Sequence, residues 1–201
     1  MLNPRAVLDS VTKLVPMDLI RGPFIIGSVL TYLHEAQYHE PTWTPADLDI
    51  SCRTVRQVDQ VAAQLGKVFK TIVAPKYSNS TYHASLALSP GFNVNVAHSG
   101  LENFNAHDSI HKFSWATVCA ICTDGENYLY HEHAQEDIKN KTLRLTSPGL
   151  IDKINFFKNI GQLNYYQQIL RPNDRRAYYK YLYRGYNDSD HSVESQLWGE
   201  I

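Results

Sequence analysis

The sequence lacks several things, and each absence narrows the field. It has no run of about twenty apolar residues, the length a membrane helix needs. Arg5, Asp9, Lys13, Asp18 and Arg21 interrupt every apolar stretch near the start, so no secretory signal is expected there. Cysteine is sparse, with three in all, which argues against a disulfide scaffold and fits a reducing compartment; a cytoplasmic protein is the expectation. Net charge is nearly absent at -1, so bulk electrostatics gives no argument for nucleic acid or membrane, and any basic surface has to be local. There is no internal repeat and no low-complexity segment, which excludes solenoids and linker-like chains.

What is present suits a folded domain. Of the 201 residues, 43% are hydrophobic and 19% charged, enough to bury a core. Asn3-Pro4 reads as a helix cap followed by proline in the first turn, with Val7, Leu8, Val11, Leu14 and Val15 on one face. Gly22-Pro23 breaks the chain. Phe24-Ile25-Ile26 is a short buried strand running into Gly27-Ser28 and a second amphipathic helix. Residues 37–46 form a polar loop, which the spacing leaves free to cover the site discussed below. Asp47–Ser51 alternates as a strand does, and Thr54 caps a third helix ending at Gly66. Strands are expected over 69–73, 82–88 and 92–97 and a short helix over 107–112. A hairpin is expected from Trp115–Thr123 to Asn127–His131 about Asp124-Gly125. Ser147-Pro148 repeats the cap signal, and the chain then reads as helical to Gly185 with breaks at Gly161 and Pro172. The implied fold class is α/β (α+β), a mixed sheet flanked by helices with a helical C-terminal part. The expected division is a core over 1–146, a helical segment over 147–186 packed on it, and a loose polar tail over 187–201 whose Leu197 and Trp198 are candidates to dock.

Two segments carry the chemistry. Strand, Gly27-Ser28 and helix together make an anion site, because glycine admits close approach and the first N–H groups of a helix are unpaired. In Asp47-Leu48-Asp49-Ile50 the two carboxylates share one strand face while Leu48 and Ile50 enter the core. Adjacent like charges ask for a cation or protons, and Mg²⁺ shared with substrate phosphates is one solution. Singly, each segment reads as an ordinary turn and an edge-strand pair; in this order, each beside apolar strand residues, they point to a nucleotide.

The run FIIGS…ADLDI resembles the G-S…D-x-D signature of the polymerase-β-like nucleotidyltransferase superfamily. Later phrases resemble a nucleotidyltransferase-like branch found in viruses and fungi: Phe113 through Cys119 to Asp124-Gly125, then Asp137-Ile138-Lys139-Asn140-Lys141, then Arg176, Lys180-Tyr181 and Arg184-Gly185-Tyr186. The likeness covers residues 20 to 186. It implies that Gly27 and Ser28 hold the phosphates of a nucleoside triphosphate and that Asp47 and Asp49 bind Mg²⁺ and serve catalysis. The family pattern asks for a third carboxylate on a later strand. Asn95, or Asn93, stands there instead, neutral and a poorer ligand, so the acidic triad is incomplete and transfer chemistry is in question.

Three groups lie outside that signature. Arg176, Lys180 and Arg184 fall at i, i+4 and i+8 among tyrosines, a stripe that reads as an RNA track or as cations offsetting a helix dipole. His107/His111 and His131/His133 have metal-ligand spacing but read more simply as surface or hydrogen-bonded side chains. Cys119 and Cys122 read as two small strand residues. Three functions stay open: a Mg²⁺-dependent nucleotidyltransferase, a non-catalytic relative acting as a binding or structural module, and an RNA-binding protein.

Overall fold

The computed structural model describes residues 3–78, 81–89, 91–98, 105–146 and 150–199. Helix α1 (Pro4–Leu14) starts where expected: the Asn3 side chain accepts from the backbone N–H groups of Arg5 and Ala6. Strand β1 (Phe24–Ile26) leads into α2 (Ser28–Glu35), β2 (Asp47–Ser51) follows, and Thr54 caps α3 (Val55–Leu65) by accepting from Gln57 N at 3.1 Å. Then come β3 (Lys70–Ser78), β4 (Thr81–Ser89) and β5 (Phe92–His98), each somewhat longer than its hydrophobic pattern suggests. Helix α4 (Ala106–Asp108) continues as a π turn over Ser109–Phe113.

The expected hairpin exists but its first arm is short. Thr117–Cys119 is a 3-10 turn, and only β6 (Ile121–Thr123) pairs with β7 (Tyr128–Tyr130). Gly125 makes the turn at φ +101°, as the Asp-Gly pair predicts. Helix α5 (Ala134–Asn140) precedes α6 (Leu150–Asn159); the Ser147-Pro148 cap lies outside the described residues. Gly161 breaks the chain at φ +70°. Pro172 does not. Helix α7 (Leu163–Tyr165), a π turn (Tyr166–Leu170) and α8 (Arg171–Tyr183) follow without interruption, and the proline is the second residue of α8, directly after the π turn. The tail is not loose either. Its α9 (Ser192–Trp198) buries Val193 and Leu197 and sets Trp198 edge-to-face against Tyr178 and Tyr179.

The strands form a mixed seven-stranded sheet in the order β3-β4-β5-β2-β1-β6-β7, with β2 and β5 parallel. One face carries Leu48, Ile50, Ala84, Leu86, Val94 and Val96, all buried against the apolar stripes of α1, α2 and α3. On the other face a small cluster of Phe24, Ala106, Ile110, Ala120 and Cys122 covers only the β1–β6 end. Across β2, β5 and β4 that second face is half-open. This asymmetry positions the site. Among the described residues no helix is long and apolar enough to cross a membrane.

Candidate functional site

The glycine turn and the acidic strand converge. Ile26 of β1 pairs with Asp49 of β2, so Gly27 emerges directly beside the Asp49 carboxylate. Gly27 has φ +93°, and a Cβ there would lie 2.6 Å from Asp49 Oδ2. Both facts demand glycine, one through backbone strain and one through space. Asp47 and Asp49 are half-buried on the open face while Leu48 and Ile50 fill the core. Ser28 opens α2, and its Oγ is buried with no hydrogen-bond partner. An orphaned buried hydroxyl at a helix N-terminus suits an acceptor such as a phosphate oxygen.

The two asparagines expected in place of a third carboxylate lie beside the acidic pair. Asn95 of β5 lies opposite Asp49 in register, and Asn93 opposite Asp47. Asn95 Nδ2 donates to Asp49 Oδ1 at 3.0 Å, and Ser85 Oγ donates to Asn95 Oδ1 at 3.0 Å. The amide is thus clamped with its donor toward the acidic pair and its oxygen occupied elsewhere. It presents no ligand to a cation beside Asp49. Burial pushes the Asp49 carboxyl up to about 6, Asp47 adds to the rise, and Asn95 and the Lys180 charge oppose it. Two carboxylates so placed suit one hard cation whose remaining ligands come from water and phosphate. Neither Asp108 nor Asp124 completes the set. Asp108 pairs with Lys112 at 2.7 Å, and Asp124 accepts from the backbone of its own turn.

A cavity of about 370 Å³ opens over this floor of Gly27, Asp49 and Asn95, with Phe113, Tyr165 and Leu170 as apolar walls. That size is within the range of small-molecule sites. The 37–46 loop does not cover it. Trp43 turns instead to Tyr32, Glu35 and Arg184.

The C-terminal basic stripe is broken in three dimensions. Arg176 and Lys180 are exposed, whereas Arg184 is buried with its guanidinium 3.5 Å over the Trp43 ring and 4.7 Å from Tyr181. The motif residues gather round a group that sequence reading missed. Glu35 is fully buried; it accepts from Trp43 Nε1 at 3.1 Å and Tyr186 OH at 3.0 Å and forms an ion pair with Lys141. Lys141 Nζ also donates to the Arg184 carbonyl at 3.2 Å. Lys141, Arg184 and Tyr186 therefore knit the segments together. Their recurrence in ordered phrases was the available signal, and an acid at the end of α2 was the missing partner.

The four histidines form one chain of rings, with centroids 4.3 Å apart for His107–His111, 5.3 Å for His111–His131 and 5.7 Å for His131–His133. His131 Nδ1 accepts from the His133 backbone at 3.3 Å. Among the described residues no three His, Cys, Asp or Glu side chains are arranged to hold a metal.

Neither a family model nor a curated protein matches the sequence. Solved structures do. A CCA-adding enzyme bound to ATP superposes with TM-score 0.54 over 78% of this chain and 39% of its own, at 16% identity. One bound to CTP gives 0.55 over 89% and 45%, at 15% identity. The Thermotoga maritima CCA-adding enzyme in complex with tRNA gives 0.53 over 100% and 48%, at 14% identity. The fold is that of the nucleotidyltransferases. At such identities the likeness is one of fold alone, and the chain spans less than half the length of each of these enzymes.

Proposed function

We propose that this nucleotidyltransferase-fold chain binds a nucleoside triphosphate together with one divalent cation, and that Asn95 leaves nucleotidyl transfer slow or absent. The observation that carries the reading is the close approach of Gly27 to the Asp49 carboxylate beside the unpartnered Ser28 hydroxyl. Gly27 and Ser28 take phosphate oxygens at the positive end of α2. Asp47 and Asp49 hold the cation, Mg²⁺ by its preference for carboxylate oxygen. When bound, it neutralises phosphate charge and polarises the phosphorus–oxygen bonds. Lys180, exposed but near enough for its charge to act on Asp49, adds a second cation for the triphosphate. Phe113, Tyr165 and Leu170 offer an apolar wall to the base.

The incomplete acidic set supports the binding half of this reading over the catalytic half. In-line transfer depends on carboxylates that hold a second metal and accept the attacking hydroxyl's proton, and Asn95 does neither. The test is thermal stabilisation by each of the four nucleoside triphosphates with Mg²⁺, run beside label transfer to mixed RNA acceptors. Stabilisation lost in Asp47→Ala/Asp49→Ala supports the reading. Rapid transfer by the natural chain defeats its second half, and absence of any nucleotide effect defeats the first.

A further inference from the structure

The charge of the chain is segregated in a way its net value conceals. Between Asp59 and Glu102 there is no acidic residue, while Lys67, Lys70 and Lys76 fall in the same stretch. This segment builds β3, β4 and β5, the arm of the sheet that runs outward from Asp49. Register fixes which face each residue joins. Ser85 of β4 bonds Asn95, so it lies on the site face with Asp49. His83 and Ala87, two residues either side of Ser85, share that face. Lys76 pairs with His83 and Lys70 with Ala87, which brings both lysines onto the site face. The tyrosines support the assignment from the other side. Tyr77 pairs with Tyr82 at a ring separation of 4.9 Å, and Tyr82 donates to Asp59 of α3, on the core side.

We infer that this face is a docking track for single-stranded nucleic acid. The track runs from Lys70 and Lys76 at the exposed edge strand, across His83, Ser85 and Asn93, to Asp47 and Asp49. Three strand steps of about 4.8 Å separate the lysines from the carboxylates, so the path is on the order of 14 Å, a few nucleotides at most. Lys70 and Lys76 are exposed and His83, Ser85 and Asn93 half-buried, so the face is accessible along its length. Its inner groups are hydroxyl, amide and imidazole, suited to sugar and phosphate oxygens rather than to an apolar partner helix. Its outer edge carries Lys70 and Lys76, and the described residues of β3, β4 and β5 include no acid, which complements a polyanion. The edge strand itself is closed to strand addition at one point by Pro75, which has no N–H to donate. The inference relies on the nucleotide reading only for where the track ends. Its residues are different ones, and of the C-terminal stripe Arg176 and Lys180 are exposed while Arg184 is buried.

The test is fluorescence anisotropy of the full chain with a labelled 12-nucleotide RNA and the matching DNA strand, over a series of salt concentrations. The natural chain binds single strands. Lys70→Ala/Lys76→Ala lowers affinity at least tenfold and flattens the log–log salt slope by about 1.4, near 0.7 for each phosphate that no longer meets a lysine. Lys76→Glu lowers affinity further, and both variants keep the nucleotide-induced thermal shift, which also shows that they fold. Affinity and salt slope unchanged in the double variant overturn the inference. So does failure of the natural chain to bind either strand, or equal competition by poly-glutamate. A lost nucleotide shift with intact strand binding would instead defeat the nucleotide reading alone.

Discussion

Glu35 at the end of α2 and Asp49 beside its start live by opposite rules. Glu35 is satisfied on every side: a lysine, an indole N–H and a tyrosine hydroxyl meet its two oxygens. Asp49 has one amide donor, a second carboxylate two residues away on the same face, and a pKa driven up to about 6. The first acid is cement. The second is under-compensated, and the proposed cation would supply what the protein leaves out. Partnering, more than burial, separates these two charges.

That contrast is breakable by mutation. Glu35→Ala should produce the largest effect, a loss of about 3–5 kcal/mol, because it strands Lys141 and frees Trp43 and Tyr186; denaturant melts read it directly. Asp49→Asn should leave stability equal or higher, since it removes a repelled charge, while abolishing Mg²⁺-nucleotide stabilisation. Comparable destabilisation by the two variants would erase the distinction. Gly27→Ala should follow, with nucleotide affinity down more than tenfold, since the new Cβ meets Asp49 and the backbone stands at positive φ. Nucleotide-dependent thermal shifts check it.

Protonation sharpens the comparison further. The folded Asp49 and Asp174 carboxyls are both raised to about 6, above the unfolded value of 3.8. The folded state therefore binds more protons between those values, and stability should fall as pH rises from about 4 to 6 and then level off. Asp49→Asn should shrink that fall without abolishing it, because Asp174, buried beside Lys153, remains. The smallest effect expected is that of Arg176→Ala, within about 0.5 kcal/mol of the natural chain, as for an exposed surface residue.

Much of this molecule was legible from residue order. The strand–Gly27–Ser28–helix turn and the Asp47/Asp49 alternation depend on local spacing, and local spacing is what a sequence displays. The same holds for Asn95, whose strand alternates from Phe92 to His98. Other features were hidden because they are products of register. The pairing that places Lys70 and Lys76 on the site face passes through two bulges in β3, which no periodicity announces. Arg184 looked exposed because i, i+4 spacing defines a helix stripe but says nothing of Trp43, which arrives from a loop far earlier in the chain. Pro172 misled because it directly follows a π turn within an uninterrupted helical run.

Calorimetric titration of ATP with Mg²⁺ into the natural chain and into Asp49→Asn tests the central claim most directly. Measurable binding to the first, and its loss in a second that melts no lower, is the predicted result. Equal affinity in the two proteins would contradict it.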